Sequence, residues 1–213
     1  MARREERPIV IPGADDPSLA LEGIFVAGEE GNPRGAVVAP PHPLYGGHLE
    51  SPVVGEVAHA CGKQGMATVR FNWRGVGASG GERSGDAQHA VSDYGQALEH
   101  LAETVDGPLV ACGYSFGAAT ALAAGARHPR VERMILVAPP ASMMDASLLE
   151  GFAGRVLLVA GGADQIAPAE PLLEWVEGSE RHVLEQIPEA DHFFMAGLAA
   201  LGRVTTAWLE SPL

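Results

Sequence analysis

Short runs of apolar residues recur along the chain, and the later runs are apolar at every position rather than at every second one. A strand with apolar side chains on both faces has to be covered on both faces, which is typical of a parallel sheet flanked by helices. These runs, together with β-branched runs near the amino terminus, predict strands at residues 8–11, 19–27, 35–39, 67–72, 108–113, 133–138, 155–160 and 182–187.

Segments of helical length separate the strands from residue 35 onwards. They predict helices at residues 51–64, 86–103, 116–127, 169–177 and 193–209. This alternation indicates an α/β fold with a mostly parallel, doubly wound sheet of about seven or eight strands, whose antiparallel edge is made by the first two strands. Glycine and proline are scattered and no linker or repeat interrupts the pattern, so we expect one domain over residues 1–213.

The charge of the chain disfavours several classes of partner. Fourteen Lys and Arg residues stand against 27 Asp and Glu residues, and the resulting net charge of -13 repels phosphate backbones and anionic lipid surfaces. The longest apolar or small stretch, residues 118–126, is about half of the roughly 20 residues that a membrane-spanning helix needs. We therefore expect neither a nucleic-acid partner nor a membrane partner.

Two further features bear on the compartment of the protein. Cys61 and Cys112 lie far apart in the sequence and form neither a disulfide framework nor a Cys-x-x-Cys pair. The amino terminus is basic at Arg3 and Arg4, but it leads into mixed charge and a proline, with no hydrophobic signal region behind it. Both features predict a cytosolic protein with buried, reduced thiols.

The turn after the fifth predicted strand carries a specific motif. Gly113, Ser115 and Gly117 form a Gly-x-Ser-x-Gly pattern that directly follows an apolar strand and precedes an alanine-rich helix. On such a strained turn, side chains at the two flanking positions would collide with neighbouring backbone, which explains the glycines. The amino terminus of the helix also directs the N–H of Phe116 at negative charge developing beside the serine. These features predict Ser115 as a nucleophile.

A serine hydroxyl needs a base to remove its proton, and that base needs a carboxylate to orient it. Asp164 lies in the turn after the seventh predicted strand, and His192 lies in the turn after the eighth. The chain order Ser, Asp, His and the shared edge of the sheet predict that these residues complete a triad. Asp145, after the sixth strand, stays an alternative acid, whereas Asp191 is a poorer one because adjacent side chains point apart.

A second glycine motif follows the fourth predicted strand. Gly75, Gly77 and Gly80 fit the Gly-x-Gly-x-x-Gly pattern of dinucleotide-binding proteins. Glycine and charged residues continue at positions 81–85, so no helix can begin where a pyrophosphate would need one. The sequence favours a tight loop that borders the site, with Arg74 in a structural ion pair, and we expect no cofactor.

These segments together resemble the α/β-hydrolase superfamily over nearly the whole chain. The chain is particularly similar to small bacterial hydrolases without a cap domain. Their characteristic segments are a His-Pro-Leu-Tyr-Gly-Gly loop, an Arg-Phe-Asn-aromatic-Arg-Gly-Val-Gly-x-Ser segment and Gly-Tyr-Ser-Phe-Gly, here residues 42–47, 70–79 and 113–117. The resemblance implies an α/β-hydrolase fold and carboxylesterase-like activity on small esters. It also implies Ser115 as nucleophile, His192 as base and Asp164 as orienting acid.

The resemblance further implies an oxyanion hole built from two backbone N–H groups. One comes from Phe116, and the other comes from the loop after the third strand. Pro41 and Pro43 in that loop have no N–H, which leaves Leu44 as the expected donor and Tyr45 as the alternative.

The same loop departs from the family pattern. It reads Pro-Pro-His-Pro at residues 40–43, where the family often has His-Pro-His-Pro, and this argues against an essential role for the first histidine. The histidine that remains, His42, has no second His or Cys at ligand spacing. We therefore expect a structural role for His42 and no bound metal.

The expected site is shallow, open and apolar. Only about sixteen residues, 139–154, separate the sixth predicted strand from the seventh, where larger relatives insert a helical cap. The residues expected to line the site are Tyr45, Phe116, Met143, Met144, Ile166 and Phe193. Because no Arg or Lys is evidently aimed at the site, the sequence favours neutral esters with small, short acyl groups over anionic substrates and long lipids.

Several alternatives stay open. The same triad cleaves a thioester, a lactone or an amide when the substrate pocket fits one. A noncatalytic binding protein on the same fold is a further alternative. The composition fits a monomer and a homodimer equally.

Overall fold

The computed structural model describes residues 4–13 and 16–211, so residues 1–3 of the basic amino terminus discussed above lie outside the described part. Within that part the chain forms eight strands. They are β1 (Glu6–Ile11), β2 (Leu21–Val26), β3 (Gly35–Ala39), β4 (Ala67–Phe71), β5 (Leu109–Tyr114), β6 (Val131–Val137), β7 (Arg155–Gly161) and β8 (His182–Ile187). Each of the eight predicted strands is present, with boundaries shifted by at most two residues.

The strands join into one sheet in the order β1-β2-β4-β3-β5-β6-β7-β8. β2 runs antiparallel to β1 and to β4, and every other pair is parallel. This is the mostly parallel sheet with an antiparallel edge that the sequence predicts. A fold of this kind brings the carboxyl ends of its parallel strands to one edge, where ligand sites lie.

Six helices accompany the sheet in the described residues. They are α1 (Pro52–Lys63), α2 (Ala87–Thr104), α3 (Phe116–Gly125), α4 (Ala146–Gly151), α5 (Glu170–Val176) and α6 (Leu198–Glu210). None of the helices found in this part of the chain is long and apolar enough to cross a membrane.

The helices cover both faces of the sheet, which explains the continuous apolar strands. All residues of β3, β4 and β5 are buried. Alternate residues of β5 enter two cores: Leu109 and Ala111 pack with α2 and α3, whereas Val110 and Cys112 pack with α1 and α6. Cys61 lies in the second core as well, and both thiols are buried and free.

Two helices differ from the sequence prediction. α6 begins at Leu198, five residues later than predicted, because Phe194 has a φ of 54° and Gly197 a φ of 124°, neither of which is helical. α4 was not predicted. It begins after Asp145, whose side chain accepts a hydrogen bond from the N–H of Ser147 and so caps the helix.

The glycine-rich segment after β4 forms a closed loop. The N–H of Gly75 donates to the carbonyl oxygen of Gly80 at 2.9 Å, and the next helix begins only at Ala87. Arg74 forms an ion pair with Asp93 of α2, with a shortest N···O distance of 2.6 Å, and both side chains are buried. The predicted structural ion pair is confirmed, and no helix begins where a pyrophosphate would need one.

The connection between β6 and β7 leaves the carboxyl edge of the sheet uncapped. Residues 139–154 hold a single 3₁₀ turn (Ala141–Met143) and the six-residue helix α4. Both elements pack against α3, and together they are too short to form a separate lid.

Candidate active site

Ser115 lies on the sharp turn between β5 and α3, with φ 55° and ψ -119°. A non-glycine residue in this region is strained, and such residues cluster at functional sites. The flanking glycines are required by space, because a Cβ at Gly113 would lie 2.0 Å from the carbonyl oxygen of Gly117, and one at Gly117 would lie 2.5 Å from that of Pro40. The turn leaves the Ser115 side chain at the carboxyl edge of β5 and only partly buried.

His192 bridges Ser115 and Asp164. Its Nε2 atom lies 3.0 Å from Ser115 Oγ, and its Nδ1 atom lies 2.7 Å from Asp164 Oδ2. The Asp164 carboxylate has no hydrogen to donate, so Nδ1 of His192 must carry the proton of this hydrogen bond. Nε2 then presents its lone pair to the serine hydroxyl. The structure therefore brings together the three residues that the sequence proposes as a triad.

Backbone groups hold the Asp164 carboxylate in place. Its second oxygen, Oδ1, accepts hydrogen bonds from the N–H groups of Ile166 and Ala167, each at 2.8 Å. Both Asp164 and His192 are buried, so their pairing is shielded from water. Because Oδ1 is held by the turn after β7, Oδ2 stays aimed at the imidazole.

The two alternative acids have other partners. Asp145 is exposed and accepts hydrogen bonds from the N–H and the hydroxyl of Ser147. Asp191 accepts from the N–H groups of Phe193 and Met195 at 3.1 Å and 3.2 Å, and so shapes the turn that follows β8. Neither carboxylate pairs with the imidazole of His192.

The predicted donor Leu44 is already engaged. Its N–H donates to His42 Nδ1 at 3.2 Å, and the N–H of Tyr45 donates to the His42 carbonyl oxygen at 3.1 Å. The prediction of Leu44 as an oxyanion donor is therefore contradicted, because its N–H group has another acceptor. The N–H group of Tyr45, the alternative donor, also has another acceptor. The reason is a 3₁₀ turn over Pro43–Tyr45, which uses both N–H groups internally.

The first N–H after β3 belongs to His42, because positions 40 and 41 are prolines. Within the described residues this N–H has no hydrogen-bond partner. The loop that carries it packs on the amino terminus of α3, since the ring of His42 lies 4.6 Å from the ring of Phe116. The Phe116 N–H opens α3 and has no acceptor within the helix.

The side chain of His42 stabilises its own loop by accepting a hydrogen bond from the N–H of Leu44. Burial lowers the pKa of His42 below its usual value, which favours the neutral ring that accepts from Leu44. The ring also contacts Tyr45, with 4.8 Å between ring centroids. In the part of the chain that the structure describes, no three His, Cys, Asp or Glu side chains gather as metal ligands do.

Tyr114 is a residue that the sequence analysis missed. Its hydroxyl is buried and donates to the carbonyl oxygen of His192 at 2.8 Å, across 78 positions of the chain. Burial, together with the nearby carboxylates of Asp164 and Asp191, raises the pKa of Tyr114 to about 12. The only signal in the sequence is its place inside the Gly-x-Ser-x-Gly motif, which says nothing about its partner.

The side chains expected to line the site divide into two groups. Tyr45, Met143, Ile166 and Phe193 are exposed on the loops at the carboxyl edge. Met144 is half-buried and packs on the core, so it contributes less to the surface of the site than expected. The ring of Phe116 is also buried, against His42 and Trp73. Leu44 and Met195 are further exposed apolar side chains on these loops.

A strained Gly-x-Ser-x-Gly turn at the carboxyl edge of a mostly parallel sheet, without a cap, is typical of a lidless α/β-hydrolase. Comparison with known protein families agrees with this class. Residues 31–157 match the family described as serine aminopeptidase, S33, and the chain belongs to this family of hydrolases.

Individual proteins are similar to this chain over most of its length. A protein of unknown function from Agrobacterium tumefaciens has a structure that superimposes with a TM-score of 0.85, at 27% identity over 96% of this chain and 95% of the other. A Xanthomonas campestris protein described as an α/β serine hydrolase without a lid gives a TM-score of 0.80, at 27% identity over 100% and 99% of the two chains. An uncharacterized protein of Rickettsia prowazekii is 29% identical over 84% of this chain and 79% of its own length.

Proposed function

We propose that this hydrolase cleaves small carboxylic esters with short acyl groups through an acyl-enzyme. The observation that carries the proposal is the continuous hydrogen-bonded chain from Asp164 through His192 to Ser115. Such a chain activates a serine hydroxyl, which by itself is a weak nucleophile at neutral pH.

The reaction proceeds in two steps. His192 Nε2 takes the proton of Ser115 as the oxygen attacks the ester carbonyl, and the imidazolium then gives that proton to the leaving alcohol. In the second step, His192 removes a proton from water as the water oxygen attacks the carbonyl carbon of the acyl-enzyme. His192 then gives that proton to Ser115 Oγ as the acid product leaves. Asp164 stabilises the imidazolium in both steps and keeps the proton on Nδ1.

The oxyanion hole in this proposal consists of the N–H groups of Phe116 and His42. Both lack other acceptors in the described structure, and their loops pack against each other beside Ser115. Preorganised donors of this kind contribute about 10²- to 10³-fold to turnover. His42 replaces the donor Leu44, which the sequence had suggested.

A probe that needs no knowledge of the substrate tests the proposal. Intact-mass analysis after treatment with a fluorophosphonate should show a single adduct on the wild-type protein and none on Ser115→Ala. Ser142→Ala removes an exposed serine at the same edge and should react like the wild type. In an ester assay, Ser115→Ala should lower kcat by on the order of 10⁴- to 10⁶-fold.

A folded wild-type protein that gives no adduct would overturn the proposal. It would favour the noncatalytic binding protein, because it would show that Ser115 is not activated despite its contact with His192. Circular dichroism on the same sample establishes that the protein is folded.

The family description favours amide cleavage as a second candidate. The two candidates differ in their leaving group, so 4-nitrophenyl acetate and alanine 4-nitroanilide separate them by one colorimetric readout. We expect Ser115-dependent cleavage of the ester only. Comparable kcat/KM values on the anilide would make the protein an aminopeptidase instead.

A further inference from the structure

Large apolar side chains are concentrated around the site. In the described residues, six of the eight exposed large apolar side chains lie on the loops that follow β3, β6, β7 and β8. They are Leu44, Tyr45, Met143, Ile166, Phe193 and Met195. Exposed apolar side chains that are concentrated in one region mark a binding site more often than scattered ones do.

The turn after β8 is built to present two of them. Asp191 Oδ1 accepts the N–H groups of both Phe193 and Met195. Phe194 between them has a φ of 54° and its side chain is buried, while Phe193 and Met195 are 60% and 84% exposed. The backbone of this turn is therefore fixed, and the two exposed side chains stay at the surface.

Phe193 is next to His192, the proton donor of the reaction. The ring of Phe193 lies edge-on to the ring of His192, with 5.6 Å between centroids. Ile166, 61% exposed, belongs to the turn that holds Asp164, since its N–H donates to that carboxylate. Phe193, Ile166 and Met195 are here called the platform.

The position of the leaving oxygen in the reaction determines which part of an ester contacts the platform. The leaving oxygen must come within hydrogen-bond distance of His192 Nε2 to receive its proton, while the carbonyl oxygen points to the N–H of Phe116. The carbon skeleton of the alcohol therefore extends on the side of His192, where the platform lies. The acyl group lies on the other side of the carbonyl carbon.

We propose that the platform binds the alcohol portion of the substrate and selects esters of bulky apolar or aromatic alcohols. This rests on the proposed function and narrows it: among small esters with short acyl groups, it favours those whose alcohol carries one uncharged ring. Apolar contact of this kind needs no enclosing lid, because one face of an aromatic or cyclohexyl ring loses its water on the platform.

The test compares acetate esters whose alcohols have similar acidity but different size. Ethyl, 2-cyclohexylethyl and 2-phenylethyl acetate all release a primary alcohol of similar acidity, so differences in kcat/KM report contacts with the ring. Burying one face of the ring should raise kcat/KM about tenfold over ethyl acetate in the wild-type protein. A parallel series of methyl esters with acyl groups of two to eight carbons measures acyl preference separately.

Two variants and one control locate the effect. Phe193→Ala and Ile166→Ala should each reduce the preference for 2-phenylethyl over ethyl acetate severalfold, without changing the ratios in the acyl series. Val10→Ala removes an equally exposed apolar side chain from β1, far from the site in the sheet order, and should leave both series unchanged. Phe193 is exposed, so its removal should leave the protein folded.

The outcomes separate this inference from the proposed function. If the variants keep the wild-type preference among alcohols while Ser115-dependent hydrolysis continues, the platform proposal is overturned and the esterase proposal stands. If the variants change acyl preference instead, the platform binds the acyl side and the assignment is wrong. Absence of Ser115-dependent hydrolysis of every ester would overturn both.

Discussion

At Tyr114 a single hydroxyl joins the two segments on which the site depends. Tyr114 precedes Ser115 in the chain, and its O–H donates to the carbonyl oxygen of His192. Tyr114→Phe keeps the ring but leaves that buried carbonyl without a donor. We expect a loss of about 1–2 kcal/mol in the free energy of unfolding. We also expect kcat to fall about tenfold with little change in KM, because the imidazole loses its fixed position.

The pH dependence of stability provides an independent readout for Tyr114. Its pKa is raised from 10.0 to about 12, so the neutral hydroxyl stabilises the folded state fully below pH 10, and this contribution disappears as the pH rises through about 12. The stability difference between the wild type and Tyr114→Phe should therefore narrow between those values in urea titrations. A constant stability difference across this range would show that the pKa of Tyr114 is not raised, and an unchanged kcat would show that the hydroxyl does not position His192.

At the scale of single residues, the sequence predicts which side chains form the site better than it predicts which backbone N–H groups are free to donate. Ser115, Asp164 and His192 could be proposed because their order and their places after strands constrain them. The choice between Leu44 and His42 could not be made in the same way. It depends on which N–H groups already have an acceptor in the 3₁₀ turn. That turn is capped by a hydrogen bond from the Leu44 N–H to the side chain of His42, and no sequence motif predicts the orientation of that side chain.

Among the elements, α2 and the glycine loop are held together by one buried ion pair. Arg74 donates to Asp93 through Nε and Nη2, and the Arg74 backbone N–H donates to the second carboxylate oxygen at 3.0 Å. Asp93→Asn would leave the guanidinium buried without a counter-charge. We expect a loss of about 3–5 kcal/mol in the free energy of unfolding, measured by urea denaturation with tryptophan fluorescence.

A double variant separates the cost of an unpaired charge from the value of the pair. Arg74→Met with Asp93→Leu removes both charges and keeps apolar bulk, so it should be more stable than Asp93→Asn alone. A double variant whose loss equals the sum of the two single losses would show that Arg74 and Asp93 act independently, contrary to the hydrogen-bonded geometry.

The boundaries of two helices could not be predicted from the local pattern of apolar residues alone. The apolar segment after residue 193 continues the period of a helix, yet α6 starts at Leu198 because Asp191 draws two backbone N–H groups into a turn. Gly197, just before α6, was a signal that could have shortened the prediction. α4 has a recognisable cap in Asp145, but six residues are too few for an apolar period to be evident.

On the scale of the whole molecule, the two-sided sheet and the missing cap follow from two properties of the chain. The strands are apolar on both faces, so the helices are needed for cover, and the short β6–β7 connection leaves no chain for a lid. The site thus faces solvent and the field of a chain with a net charge of -13. The field of the whole chain acts on a charged substrate as it approaches such a site through solvent.

This exposure predicts a salt effect that depends on substrate charge. Methyl butyrate and monomethyl succinate have similar length, but only the second carries a carboxylate at neutral pH. The acidic protein should repel the anionic ester, so its kcat/KM should be the lower of the two and should rise about threefold or more between 10 mM and 0.5 M NaCl, as screening shortens the range of the repulsion. The value for methyl butyrate should change by less than about twofold. Faster cleavage of the anionic ester at low salt would contradict this account, because it would require a basic group near Ser115 that outweighs the charge of the whole chain.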